Sequence, residues 1–268
     1  MRKFKEYLQN KALGIEKRFR FVISTVILGS IMLLSTFFLF DKALIFILIF
    51  FVTSYLLSYF SLLEGIEGIE LFTLFLMPIL LTISFYLVYF LFPVRWLTRL
   101  PFMALYVVSF YAVLLCSNIF NVGVEKSLQL YRAAFSINFF YQAVVTFLFY
   151  NSLFSFKLYF IFNALVVFLI SYLLSFQLLW SVKLELKYDK RIILQSILIA
   201  MLMAELALLG SFVPIKSTIL ALFLASSYYS LSGLIYNYID QRLFKETVRE
   251  YVSVWLIVLF ITVLSLGW

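Results

Sequence analysis

The chain has 268 residues, of which 65% are hydrophobic and only 13% charged, with a formal net charge of +8 and no histidine. Apolar segments this long and this numerous cannot be hidden around one or two water-soluble cores, so the composition excludes a soluble fold. The basic residues sit in short segments between apolar runs, where they set orientation in a membrane and form no docking face for nucleic acid.

Residues 1–20 form a basic arm. Phe4, Leu8, Ala12, Ile15 and Phe19 recur at helical spacing as one apolar stripe, while Arg2, Lys5, Glu16, Lys17 and Arg20 project elsewhere. This pattern predicts a cytoplasmic amphipathic helix lying among anionic lipid headgroups, although Gly14 weakens it. The alternative is a solvated segment that only sets topology.

Cutting the remainder at charges, Pro and Gly predicts spans at 21–40, 43–63, 71–92, 102–119, 133–156, 158–181, 192–212, 218–238 and 251–267. Each approaches the roughly 20 residues that cross a hydrocarbon core. The expected fold is all-α: a polytopic transmembrane helix bundle of nine spans in one domain, 21–268, with no sizeable extramembrane domain. Eight spans is the alternative, because Asp41-Lys42 and Phe156-Lys157-Leu158 leave room only for very tight turns. The first apolar run is too long for a typical signal-peptide core and lacks a small-residue cleavage site, so it is expected to stay as an anchor.

With residue 1 inside, the inner segments hold 16 Lys and Arg and the outer segments 5. That asymmetry predicts a cytoplasmic N-terminus and, for nine spans, an external C-terminus in the plasma (inner) membrane. Trp96, Trp180, Trp255 and Trp268 all fall at predicted span ends, where an amphipathic ring favours the headgroup layer.

Several chemistries have no material to work with. The absence of histidine removes the commonest metal ligand and proton shuttle. The single cysteine, Cys116, lies inside an apolar run and allows no intrachain disulfide. Asp41, Asp189 and Asp240 sit at span ends, leaving no intramembrane aspartate pair, and neither a phosphate-binding loop nor a dinucleotide fingerprint occurs. No metal site, no cofactor and no catalytic residue are expected.

The polar residues within spans are few. Glu64, Glu67 and Glu70 form an acidic turn before span three, which either pairs with the basic arm or holds a cation; Pro78 follows inside that span and kinks it if the freed carbonyl finds a donor. Asn138, Gln142 and Thr146 form a stripe on span five, and Asn163, Ser171 and Ser175 share a face of span six. Such side chains act as interhelical glue or line a polar pathway. Ala200, Ala204, Ala207 and Ser211 on span seven are expected to pack against Ser226, Ser230, Gly233 and Asn237 on span eight. Glu205 lies well inside span seven with no cation in its own span, so it is expected to face the bundle interior near Thr146 or Ser226.

The second half of the chain carries Asn118-Ile119-Phe120, Gln129-Leu130-Tyr131-Arg132-Ala133-Ala134, Asn163-Ala164-Leu165, Glu205-Leu206-Ala207 and Arg242-Leu243-Phe244. In these residues it resembles a group of bacterial multi-pass membrane proteins of unknown function. The resemblance covers residues 60–268 and implies a bacterial inner membrane, with no activity and no site residues.

The leading functional expectation is small-solute or ion transport, or a transport accessory. The alternative is a non-catalytic scaffold or assembly subunit that docks a protein partner. A lipid-processing enzyme, with Glu205 or the Glu64, Glu67 and Glu70 turn as an acid or metal site and Arg95, Arg99 or Arg132 near a phosphate, ranks last, because no nucleophile and base pair off.

Overall fold

Long runs of Leu, Ile, Phe and Val leave the backbone no water to bond, and a helix satisfies its N–H and C=O groups within one segment. The computed structural model describes residues 14–38, 42–63, 66, 68–91, 96–122, 128–184 and 189–266. Among them are α1 (Lys17–Ser35), α2 (Ala43–Leu62), α3 (Glu70–Tyr89), α4 (Trp96–Val122), α5 (Leu128–Ser155), α6 (Phe160–Trp180), α7 (Lys190–Ser211), α8 (Ser217–Ile239) and α9 (Lys245–Leu264). All nine are long and apolar enough to cross a membrane, as expected of a multi-pass integral membrane protein, and no strand occurs among the described residues. Phe156 to Tyr159 separate α5 from α6, with Lys157 in the left-handed region (φ 51), so this tight turn joins two helices and does not bend one.

Three helices begin well before the predicted spans: α4 at Trp96, α5 at Leu128 and α9 at Lys245. Charges and Pro101 set the predicted boundaries, but each helix continues through them. In consequence Trp255 is not at a helix end. It lies midway along α9 and its indole N–H donates to Ser227 Oγ at 2.9 Å.

Most of the amino-terminal stripe, Phe4, Leu8 and Ala12, lies outside the described residues. From Lys17 onward the arm is already the first turn of α1, with Phe19 exposed and Arg20 almost fully buried. Glu64 and Glu67 also lie outside the described residues, as do Arg95 and Trp268. Glu70 is buried in the first turn of α3, the end of a helix that favours a carboxylate.

The chain divides within α5 into two compact units, residues 1–138 and 139–268. In the first unit α3 forms the core, with Leu74, Phe75, Met77 and Leu81 fully buried. α2 and α4 pack against it, and α1 packs against α2 and α4. Pro78 has no N–H to offer the carbonyl of Leu74 one turn earlier, and Ser117 Oγ on α4 donates to that carbonyl at 3.0 Å. One turn later Thr82 Oγ1 donates to Pro78 O at 2.8 Å and lies 3.0 Å from the Tyr106 hydroxyl. The expected rescue of the proline is therefore present, supplied by α4.

At the other end of α3, Arg99 ties three helices together. Its Nε donates to the Tyr89 hydroxyl at 3.0 Å, its Nη2 donates to Thr36 O at 3.3 Å, and the guanidinium lies 4.9 Å from the Phe37 ring centre. These contacts fasten the start of α4 to the ends of α1 and α3.

In the second unit α6 and α7 form the broadest helix pair, joined by Ser175 Oγ donating to Ser196 O at 3.4 Å. α7 and α8 touch as expected, but α8 packs more extensively on α9, and two residues of its small-residue stripe, Ser230 and Gly233, turn to α9 instead of α7. Ser230 Oγ donates to Tyr251 O at 3.0 Å, and a methyl group on Gly233 would overlap the Tyr251 ring. The glycine thus makes room for an aromatic ring on α9. Ala200 and Ala207 are fully buried, but Ala204 is only half-buried.

Replacing Ser117 by Val leaves the Leu74 carbonyl buried without a donor, a loss of about 1–3 kcal/mol. Thermal unfolding in detergent should register that loss, and Ser117→Thr should recover most of it. Gly233→Leu should cost about 1–3 kcal/mol by overpacking against Tyr251, whereas Ala204→Phe should be tolerated; equal effects would sink the α8–α9 assignment.

Candidate functional site

Two polar groupings within the second unit differ in one respect: the first is saturated and the second is not. The saturated one centres on Gln142 of α5, which is fully buried. Its Nε2 donates to Leu174 O at 3.1 Å and to Gln177 Oε1 on α6, and its Oε1 accepts from the Tyr228 hydroxyl on α8 at 2.9 Å. The amide has two donors, and both are used. Tyr150 extends the network, its hydroxyl lying 2.8 Å from Ser171 Oγ. This cluster fastens α5, α6 and α8 by interhelical bonds, as interhelical glue would.

The remaining stripe residues fit that reading. Thr146 Oγ1 donates to Gln142 O at 2.9 Å and Ala143 O at 2.8 Å, both in its own helix. Ser226 Oγ donates to Phe223 O at 2.9 Å. Asn138 is buried on α5, one turn before Gln142. None of these side chains hydrogen-bonds to Glu205.

Glu205 does not face the packed interior. Its side chain is exposed on the flank of α7, in a groove of about 380 Å³ bounded by α7, α8 and α9. Leu202, Leu206 and Leu209 on its own helix and Leu231 and Leu234 on α8 make the walls, and Ser227, Ser230 and Trp255 supply polar edges. Span eight therefore contributes polar groups near Glu205 as expected, but through Ser227 and Ser230 and not Ser226. Both hydroxyls are already engaged, Ser230 as donor to Tyr251 O and Ser227 as acceptor from Trp255. The carboxylate has no hydrogen-bond or ion-pair partner among the described residues. The physical reason for its outward position is spacing: α7 turns Ile192, Ser196, Ile199, Ala200, Met203 and Ala207 inward, and 205 falls between them on another face.

The groove's volume is within the range of small-molecule sites. An unpaired carboxylate and an indole in an aliphatic cleft together suit a cation with an apolar body. Sequence reasoning found Glu205 but missed Gln177, Tyr228 and Trp255. The signal for the tyrosine was a hydroxyl that has to find a partner when buried. Among the described residues no three His, Cys, Asp or Glu side chains group to hold a metal ion.

Comparison with protein-family models, with curated proteins and with solved structures finds no match to this chain.

Proposed function

We propose that this protein is a carrier, or the membrane subunit of a carrier, that takes a small lipophilic cation into the Glu205 groove from within the bilayer. One observation carries the reading: a carboxylate without a partner opens from an apolar groove about 9 Å along the helix from Ser211, at 1.5 Å per residue. A charged carboxylate against lipid costs several kcal/mol, and either a proton or a cationic solute removes that cost. Exchange of one for the other gives a basis for proton-coupled movement. The saturated Gln142 cluster makes no comparable demand for a ligand.

The same reading puts the chain in a bacterial inner membrane with residue 1 in the cytoplasm and residue 268 outside. Support comes from the 16 to 5 division of basic residues and from the odd number of apolar helices among the described residues.

A second reading, a non-catalytic assembly subunit, is favoured by α9, of which only Thr262 is buried. Its exposed Leu256, Ile257, Phe260 and Leu264 suit either lipid or the helix of a partner protein. Copurification of a stoichiometric partner that is lost on replacing these residues with alanine would favour that reading over transport.

Tetraphenylphosphonium serves as the probe for the carrier. Purified wild-type protein should bind it and proteoliposomes should accumulate it against a pH gradient; Glu205→Gln should unfold at the same temperature but lose at least tenfold in affinity and uptake, as expected for removal of a charged partner. Equal binding by both proteins would reject the groove as the site. For topology, reporter fusions after residue 268 and before residue 1 should read opposite compartments, and a shared compartment would reject the proposed orientation.

A further inference from the structure

A second cavity, of about 590 Å³, lies in the same unit at the ends of α5 to α8, away from Glu205. The α5–α6 and α7–α8 turns both line it, so it sits where span ends meet the polar layer of a bilayer. Asn163 of α6 is 4% exposed and lines this cavity. Its Nδ2 donates to Leu158 O at 3.2 Å, which fixes the amide, and leaves Oδ1 buried with no hydrogen-bond partner. A buried acceptor in that state lacks about 1–3 kcal/mol of compensation. A ligand carrying a hydroxyl or amine donor would supply it.

The rest of the lining attracts an anion. Lys157 is exposed at the rim, held in the left-handed region, and among the described residues no acidic side chain lines the cavity. Two helices begin there, α6 at Phe160 and α8 at Ser217, and neither N-cap residue, Tyr159 or Lys216, caps its helix with a side-chain hydrogen bond. First-turn N–H groups have no intrahelical acceptor, and their dipoles favour negative charge. The hydroxyls present are already committed: Ser217 Oγ donates to Phe154 O at 3.3 Å and Ser211 Oγ donates to Ala207 O at 2.8 Å. At the mouth, Leu158 and Val213 are exposed and apolar, as a lipid-facing opening requires.

From these observations we infer that the cavity binds the headgroup of an anionic phospholipid that bears a hydroxyl, of the phosphatidylglycerol class. The phosphodiester lies against Lys157 and the two helix N-termini, the headgroup hydroxyl donates to Asn163 Oδ1, and the acyl chains leave past Leu158 and Val213. A choline headgroup has no donor for Asn163 and carries a cation toward Lys157, so it is disfavoured on both counts. This site is independent of the cation groove and of the amino-terminal arm.

The test measures lipid retention by the full chain in detergent by native mass spectrometry, with phosphatidylglycerol, phosphatidylmethanol and phosphatidylcholine as probes. Wild type should hold phosphatidylglycerol about tenfold more tightly than phosphatidylmethanol, which has the same charge but no hydroxyl, and hold phosphatidylcholine least. Asn163→Leu should abolish the preference for phosphatidylglycerol over phosphatidylmethanol. Lys157→Gly, which suits the left-handed backbone and so keeps the turn, should lower retention of both anionic lipids about tenfold while leaving tetraphenylphosphonium binding intact. Equal retention of all three lipids by wild type, or unchanged preferences in both variants, would overturn the assignment. So would glycerol 3-phosphate binding as tightly as phosphatidylglycerol, since the ligand would then be a soluble phosphate ester.

Discussion

Hydrocarbon offers no hydrogen bonds, and the arrangement of this protein follows from that constraint. A polar atom within a span has to find its partner in the same helix or in a neighbouring one. Serines and threonines meet the requirement locally, as Thr25 does by donating to Phe21 O at 2.8 Å and Ser152 by donating to Leu148 O at 2.9 Å. Groups too large or too displaced for a local solution decide which helices touch. Ser24 takes Leu57 O and accepts from Ser61, which joins α1 to α2. The Leu74 carbonyl, released by Pro78, calls for Ser117 on α4. The Gln142 amide requires acceptors from α6 and a donor from α8.

The same constraint separates structural from functional polarity. Gln142, with both amide donors used, and Arg99, bonded to Tyr89 and Thr36, are buried polar groups that join helices, and changing them would damage the fold before it revealed an activity. Glu205 and Asn163 differ because each lines a cavity and has an oxygen without a hydrogen-bond partner among the described residues. Their surroundings select opposite ligands. Glu205 is an anion among leucines with an indole at hand, whereas Asn163 is a neutral acceptor near a lysine and two helix starts.

Much of the architecture was legible because a span is a property of composition and length. The turn at Phe156 to Tyr159 was correctly kept as a separation, and the proline rescue followed from the missing N–H. Helix ends were less legible, since Trp96 and Lys245 begin helices in residues that a hydropathy boundary discards. Faces were hardest. Gly233 signals close approach but does not name the approaching group, and the short α7–α8 connection suggested α7 where Tyr251 of α9 is the neighbour. Glu205 was identified by its chemistry, but its direction depends on which side of α7 the other helices occupy, a tertiary fact that one carboxylate does not encode.

The slight burial of α9 has a consequence for the order of disassembly. Its attachments to α8 cluster along one stretch, where Tyr251 sits over Gly233 and Trp255 bonds Ser227, and little else of the helix is enclosed. A segment held by so few buried groups opens at a lower free energy than the core, as a sub-global unit. Within its unit α9 is therefore expected to part from α8 in detergent before α6 parts from α7.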